Sequence, residues 1–78
     1  MDNTEAAELE RLAEAAYAAM YEVRPHNVKD YFDDALYYFG QAITASERVG
    51  RTADVERLTR RREHISYVYN SQFRGIGC

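Results

Sequence analysis

The sequence predicts an all-α protein with a three-helix, up-down-up bundle. Long segments carry apolar residues at helical spacing, no segment shows the alternating pattern of a strand, and 78 residues include only one proline and four glycines. A chain of this length supports one small core. We therefore expect a single domain over residues 1–78, with helices at about 4–22, 28–49 and 53–73.

The first predicted helix begins at acidic and hydroxyl residues that suit an N-terminus. Asp2 and Glu5 have capping-box spacing, and Thr4 is a competing N-cap. Arg24-Pro25 ends the segment, because the residue before a proline is disfavoured in the helical region. Its apolar positions follow the helical period and are Leu9, Leu12, Ala16, Tyr17, Met20 and Val23.

The central helix is apolar around more of its circumference than one neighbour can cover. Its main stripe is Phe32, Ala35, Phe39, Ala42 and Ile43. A second stripe, flanked by Tyr37, consists of Tyr31, Ala35, Tyr38, Ala42, Ala45 and Val49. We expect this helix to lie in the middle of the bundle and to keep aromatic surface for a partner.

Local signals mark the ends of the second and third helices. Asn27 and Thr52 are predicted N-caps, and Gly50 fits the left-handed position after the central helix. Gly40 costs ~1 kcal/mol relative to alanine inside a helix, so we expect a close helix contact there. Gly75 and Gly77 are predicted to end the third helix, whose apolar positions are Val55, Leu58, Ile65, Val68, Tyr69 and Phe73. Its stripe is interrupted by Arg61 or Arg62, one of which we expect to lie along the bundle with its stem packed.

The central helix resembles the second helix of a tetratricopeptide repeat. In that repeat, small and aromatic residues alternate at fixed spacing, and Phe32, Ala35, Phe39 and Ala42 match them. The matching run is Ala35-Leu36, Tyr38-Phe39 and Gln41-Ala42-Ile43, and it is followed by the exit turn Arg48-Val49-Gly50. Ile65, Ser66 and Tyr69 look like the first helix of a following repeat, and Met20-Tyr21 like the first helix of the same repeat. The departures are Arg62 at the usual tryptophan position, no proline after the central helix and a longer turn at Pro25.

On that resemblance the chain is about one and a half repeats, and an unrelated three-helix bundle is the alternative. Repeat arrays usually need about three units, so self-association would complete the core. The resemblance also implies a groove lined by Arg60, Glu63, Tyr67 and Asn70. The alternative for Tyr67 and Asn70 is that they are ordinary surface residues.

Charge is unevenly distributed along the chain. Residues 1–47 hold ten acids and three bases, whereas residues 48–78 hold seven bases and three acids. This asymmetry would draw the last helix onto the first two, orient a contact between subunits, or face an acidic partner. The bases concentrate in the third helix and the turn before it, where Glu56 and Glu63 are spaced to pair with Arg60. These bases are Arg48, Arg51, Arg57, Arg60, Arg61 and Arg62.

The sequence offers no pattern typical of catalysis, and we expect no enzyme, cofactor or metal. His26 and His64 lack metal-ligand spacing, and the adjacent Asp33 and Asp34 point about 100° apart on a helix. Cys78 has no partner cysteine within the chain. With no signal peptide pattern and no membrane span, the expected location is the cytoplasm.

We conclude from the sequence that the chain is a non-catalytic protein-interaction or oligomerisation module. The expected partner is a second copy, forming a homodimer. Two alternatives remain open: a small nucleic-acid-associated regulator that uses the arginine-rich helix, and a minor subunit of an enzyme complex. The predicted partner-binding residues are Arg60, Glu63, Tyr67, Asn70, Tyr37 and Tyr38.

Overall fold

The computed structural model describes residues 3–73, and within that range it contains three α-helices and no strand. The all-α, three-helix prediction is confirmed. A 3₁₀ helix precedes the second α-helix, and a π-helical segment follows the third. In chain order, the elements are α1 (Thr4–Ala19), the 3₁₀ helix Pro25–Asn27, α2 (Val28–Arg48), α3 (Thr52–Val68) and the π-helical segment Tyr69–Phe73.

The central helix α2 packs against both α1 and α3. Short connections make each helix antiparallel to the one before it in the chain. Side-chain pairs tie Glu10 to Arg57 and Glu14 to Arg61, so α1 and α3 advance in the same direction. This order is the predicted up-down-up arrangement.

The core is built from small residues around a few large ones. Phe39, in the middle of α2, is fully buried, as are Leu58 and Ile65 of α3. The alanines of α1 permit close approach of α2, because a methyl side chain projects little from the helix and allows a short distance between the helix axes. Apolar residues that are less than a tenth exposed are Ala6, Ala13, Ala16, Met20, Val28, Ala35, Phe39, Ala42, Ala45, Leu58, Ile65 and Val68.

The first helix ends earlier than its apolar pattern predicts, at Ala19 instead of about residue 22. Beyond Ala19 the backbone tightens: the N–H of Tyr21 donates to the carbonyl of Ala18 at 3.1 Å, and that of Glu22 donates to Ala19 at 3.0 Å. Such i to i−3 bonds satisfy carbonyls at a helix end. Arg24 is then extended, with φ −65° and ψ 150°, as expected before proline.

Gly50 closes α2 in the predicted left-handed conformation, with φ +70°. The N–H of Arg51 donates to the carbonyl of Ser46 at 2.9 Å, and the N–H of Gly50 donates to Glu47 at 3.1 Å. These two bonds define a Schellman motif, which satisfies the last carbonyls of a helix and reverses the chain. The motif directs α3 back along α2.

The predicted N-caps do not form in the structure. Thr4 and Thr52 are already helical, and the flanking residues Asn3 and Arg51 make no capping hydrogen bond from their side chains. Asn27 lies in the 3₁₀ helix and also makes none. Asp2 is outside the described residues. The side chain of Asn3 bonds across the bundle instead, so tertiary partners replace the local cap.

Gly40 does not mark a close helix contact. A methyl group built at this position would meet no heavy atom within 4 Å, apart from its own helix backbone and chain neighbours. The prediction of a tight crossing at Gly40 is therefore wrong. Its carbonyl instead accepts a hydrogen bond from the hydroxyl of Thr44 at 3.1 Å.

The third α-helix ends at Val68, and the chain continues from Tyr69 as a π-helical segment. The wider π-helical turn carries Tyr69 onto Phe32, with stacked rings whose centroids are 4.0 Å apart, and Phe73 onto Tyr21 at 5.0 Å. The C-terminal segment therefore packs against α2 and against the turn that follows α1. The predicted stop at Gly75 and Gly77 and the expectation for Cys78 fall outside the described residues.

Candidate interaction surface

Two arginines of α3 are held by carboxylates of α1. Arg57 donates to both carboxylate oxygens of Glu10, at 2.6 and 3.0 Å. One helical turn later, Arg61 donates to both oxygens of Glu14, at 2.7 and 2.9 Å. Bidentate arginine–carboxylate pairs are among the stronger hydrogen-bonded contacts in proteins. Part of the basic helix therefore pairs within the molecule.

Tyr17 completes the site that holds Arg61. The guanidinium carbon of Arg61 lies 5.0 Å from the centroid of the Tyr17 ring, a cation–π distance. Tyr21 packs edge-on against Tyr17 with centroids 5.7 Å apart, and their hydroxyls are 3.3 Å apart. Burial, followed by the hydrogen bond with Tyr21, raises the pKa of Tyr17. Arg61 is thus the interrupting arginine that packs along the bundle, as the sequence predicts for one of the two.

Arg62 and Arg60 have different surroundings from Arg57 and Arg61. The Nε of Arg62 donates to the backbone carbonyl of Leu36 in α2 at 3.1 Å. Arg60 is exposed. Within residues 3–73 it forms no ion pair with Glu56 or Glu63, so that predicted pairing is absent there. The spacing allows the pair, but all three side chains are exposed to solvent, where such pairing contributes little.

The four predicted groove residues of the third helix lie on its solvent side. Tyr67 is 69% exposed, and Arg60, Glu63 and Asn70 are also exposed. The opposite side of the helix holds Leu58 and Ile65 in the core. The structure therefore places these four residues on an open helix surface.

The central helix keeps aromatic surface even though two helices pack on it. Tyr37 is 61% exposed and Tyr31 is 36% exposed. Tyr38 is half-buried against the core and meets Tyr37 edge-on, with centroids 5.4 Å apart. Within residues 3–73, no aromatic pairing joins Tyr37 or Tyr38 to Tyr67. The predicted residues thus form two separate sets, one on α2 and one on α3 and the π-helical segment that continues it.

A polar cleft of about 350 Å³ lies where the N-terminal ends of α1 and α3 meet. Asn3 donates to the hydroxyl of buried Ser46 at 2.9 Å and to the carboxylate of Asp54 at 3.1 Å. That hydrogen bond, with the nearby Arg51 and Arg57, lowers the pKa of Asp54. The charged groups of the cleft are therefore satisfied by one another. The cleft is lined by Asn3, Thr4, Ala6, Ala7, Glu10, Arg51, Asp54, Arg57 and Leu58.

The two histidines and Asp33 lie at separate exposed positions. His26 and His64 are exposed on different elements, and Asp33 binds Lys29 one turn away at 2.9 Å. In the described part of the chain, no group of three or more histidine, cysteine or acidic residues could hold a metal ion. No helix of residues 3–73 combines the length and apolar character needed to cross a bilayer.

The contacts of Arg57 and Arg61 with carboxylates of α1, and the contacts of Asn3, were not predicted from the sequence. Glu10 and Glu14 are four residues apart, as are Arg57 and Arg61, and that shared spacing is the signal that would have paired them. Asn3 has no comparable signal, because its partners lie 43 and 51 residues away.

Comparisons with protein-family models, curated proteins and solved structures find no match to this chain. The resemblance to the tetratricopeptide repeat therefore stays a prediction. An up-down-up order is shared by helical repeats and by unrelated three-helix bundles.

Proposed function

We propose that the chain is a non-catalytic protein-interaction module that self-associates through the aromatic surface of α2. The observation that carries the proposal is the 61% exposure of Tyr37 on a helix already packed on two sides. Tyrosine is enriched in protein interfaces, because it offers a large apolar area and a hydroxyl at low entropic cost. Tyr31 and Tyr38 extend this surface.

The ion pairs of α3 favour this proposal over nucleic-acid binding. Arg57 and Arg61 are engaged by Glu10 and Glu14, and Arg51 lies 3.3 Å from a carboxylate oxygen of Asp54. Affinity for phosphates depends on several arginines or lysines that are available to neutralise them. With these three engaged, α3 and the turn before it offer fewer cations than the sequence implies.

Sedimentation velocity from 1 to 100 μM tests the proposal. We expect a monomer–dimer equilibrium in the wild type and a shift towards monomer in Tyr37→Ala. Tyr67→Ala is the matched control, because Tyr67 is similarly exposed but lies on α3. A wild-type monomer at every concentration would reject self-association. A dimer weakened by Tyr67→Ala and not by Tyr37→Ala would move the interface to α3.

A further inference from the structure

The arrangement that holds arginine on α1 occurs a second time on α2. On α1, two carboxylates four residues apart are followed three residues later by a tyrosine: Glu10, Glu14 and Tyr17. On α2, Asp30, Asp34 and Tyr37 have the same spacing. Residues at i, i+4 and i+7 share one side of a helix, so each set forms a continuous stripe.

The two stripes also share their aromatic support. Tyr17 is packed edge-on by Tyr21 at an interplanar angle of 77°, and Tyr37 is packed edge-on by Tyr38 at 72°. An edge-on neighbour fixes the ring and leaves a face open to a cation. On α1 that face is used by Arg61.

The two stripes differ in whether arginine side chains cover them. The α1 stripe is covered by Arg57 and Arg61 of α3. Asp30, Asp34 and Tyr37 are exposed, and within residues 3–73 neither aspartate has an ion-pair or side-chain hydrogen-bond partner. The adjacent Asp33 is engaged by Lys29.

We infer that the Asp30–Asp34–Tyr37 stripe binds a helix of a partner protein that carries two arginines four residues apart. The partner's first arginine pairs with Asp30, the second pairs with Asp34, and the second guanidinium lies over Tyr37. Each aspartate offers two oxygens, which match the planar fork of arginine better than the point charge of lysine. Tyr31 and Tyr38, beside the stripe, supply apolar area for the rest of that helix.

The stripe shares Tyr37 with the proposed dimer surface, so a partner helix and a second copy would compete for it. On α3, the second copy offers no free pair of arginines four residues apart. Arg57 and Arg61 are already engaged within each copy. The remaining exposed arginine on the outer side of α3, Arg60, is accompanied there by Glu56 and Glu63. Those glutamates would face the aspartates of the stripe, and like charges at close range are unfavourable.

The inference rests on the proposed role in protein interaction, and a peptide titration tests it separately from self-association. The probe is a fluorescein-labelled, alanine-based helical peptide with the order Arg-Leu-Ala-Ala-Arg, which copies the spacing of Arg57, Leu58 and Arg61. Its binding to the full chain is measured by fluorescence anisotropy at low salt, and the concentration of monomer at each point is taken from the sedimentation data. We expect saturable binding, weakened about fivefold by Asp34→Asn and also weakened by Tyr37→Ala.

Matched controls separate recognition from general attraction. Asp33→Asn removes the same charge from the next residue and should change the peptide's Kd less than twofold. A peptide with lysine in place of both arginines should bind more weakly. Equal effects of Asp33→Asn and Asp34→Asn, equal binding of the lysine peptide, or no binding at 1 mM would overturn the inference. If Asp34→Asn abolishes the dimer without changing peptide affinity, the stripe belongs to a second copy and the inference fails, although self-association stands.

Discussion

Arg61 of α3 donates two hydrogen bonds, of 2.7 and 2.9 Å, to the carboxylate of Glu14 in α1, a helix that is not its neighbour along the chain. The Arg61 side chain is 36% exposed and that of Glu14 is 37% exposed, so water screens the pair only in part. The contact links α1 and α3 directly across the bundle. It also accounts for an arginine that interrupts an otherwise apolar stripe.

Replacing Arg61 by alanine should lower the free energy of unfolding by about 1–2 kcal/mol, because the bidentate pair and the Tyr17 contact are both lost. Urea denaturation measures the effect. Arg60→Ala, one residue earlier on the exposed side, should change it by less than about 0.5 kcal/mol. A double-mutant cycle with Glu14→Gln should give a coupling energy of about 1 kcal/mol, and a coupling indistinguishable from zero would contradict this account.

The identity and order of the helices could be predicted because their signal is local. Apolar residues such as Ala35, Phe39 and Ala42 recur at the helical period, and all three are buried. Gly50 was predictable for the same reason, since a left-handed residue after a helix favours glycine. Such features depend on sequence neighbours alone.

The ends of the helices and the interhelical contacts could not be predicted from local pattern. Asn3 makes no capping hydrogen bond and instead donates to Ser46 and Asp54, which are distant in sequence. Attraction between the last helix and the first two was one of three interpretations of the charge asymmetry, and none of them predicted which arginine meets which carboxylate. That choice depends on the register between α1 and α3, which is set by packing.

Phe39→Ala should cost about 3–5 kcal/mol in the free energy of unfolding, because the ring is fully enclosed and alanine leaves a cavity. A loss of this size is enough to unfold a domain this small. Circular dichroism with thermal unfolding measures it. Tyr37→Ala, two residues away and 61% exposed, should remain within about 0.5 kcal/mol of wild type in the monomer. A mild effect at Phe39 would mean that this ring is not in the core.

The Asp54 carboxyl group should titrate below its ordinary pKa of about 3.9, because Asn3 hydrogen-bonds to the charged form and Arg51 and Arg57 lie near it. A carboxyl whose pKa is lowered by folding stabilises the fold above its unfolded pKa. That contribution disappears as the pH falls through the folded pKa. Carbon-13 NMR of the side-chain carboxyl gives the midpoint directly.

Asn3→Ala should raise the Asp54 midpoint towards the ordinary value, because it removes the largest cause of the shift. Asn27→Ala is the control, since Asn27 lies in the 3₁₀ helix and makes no capping bond from its side chain. An Asp54 midpoint that does not move in Asn3→Ala would show that the hydrogen bond does not set this pKa.

Alanine at Gly40 and at Gly50 should have opposite effects on stability. Gly40 is helical with open space beside it, so alanine should stabilise the fold by up to about 1 kcal/mol through its higher helix propensity. Gly50 has φ +70°, which a Cβ atom disfavours, so alanine there should cost about 1 kcal/mol. Chemical denaturation of the two variants beside wild type tests both signs. If Gly40→Ala destabilises the fold, a neighbouring helix must contact this position, as the sequence predicts, and the open space beside Gly40 would be contradicted.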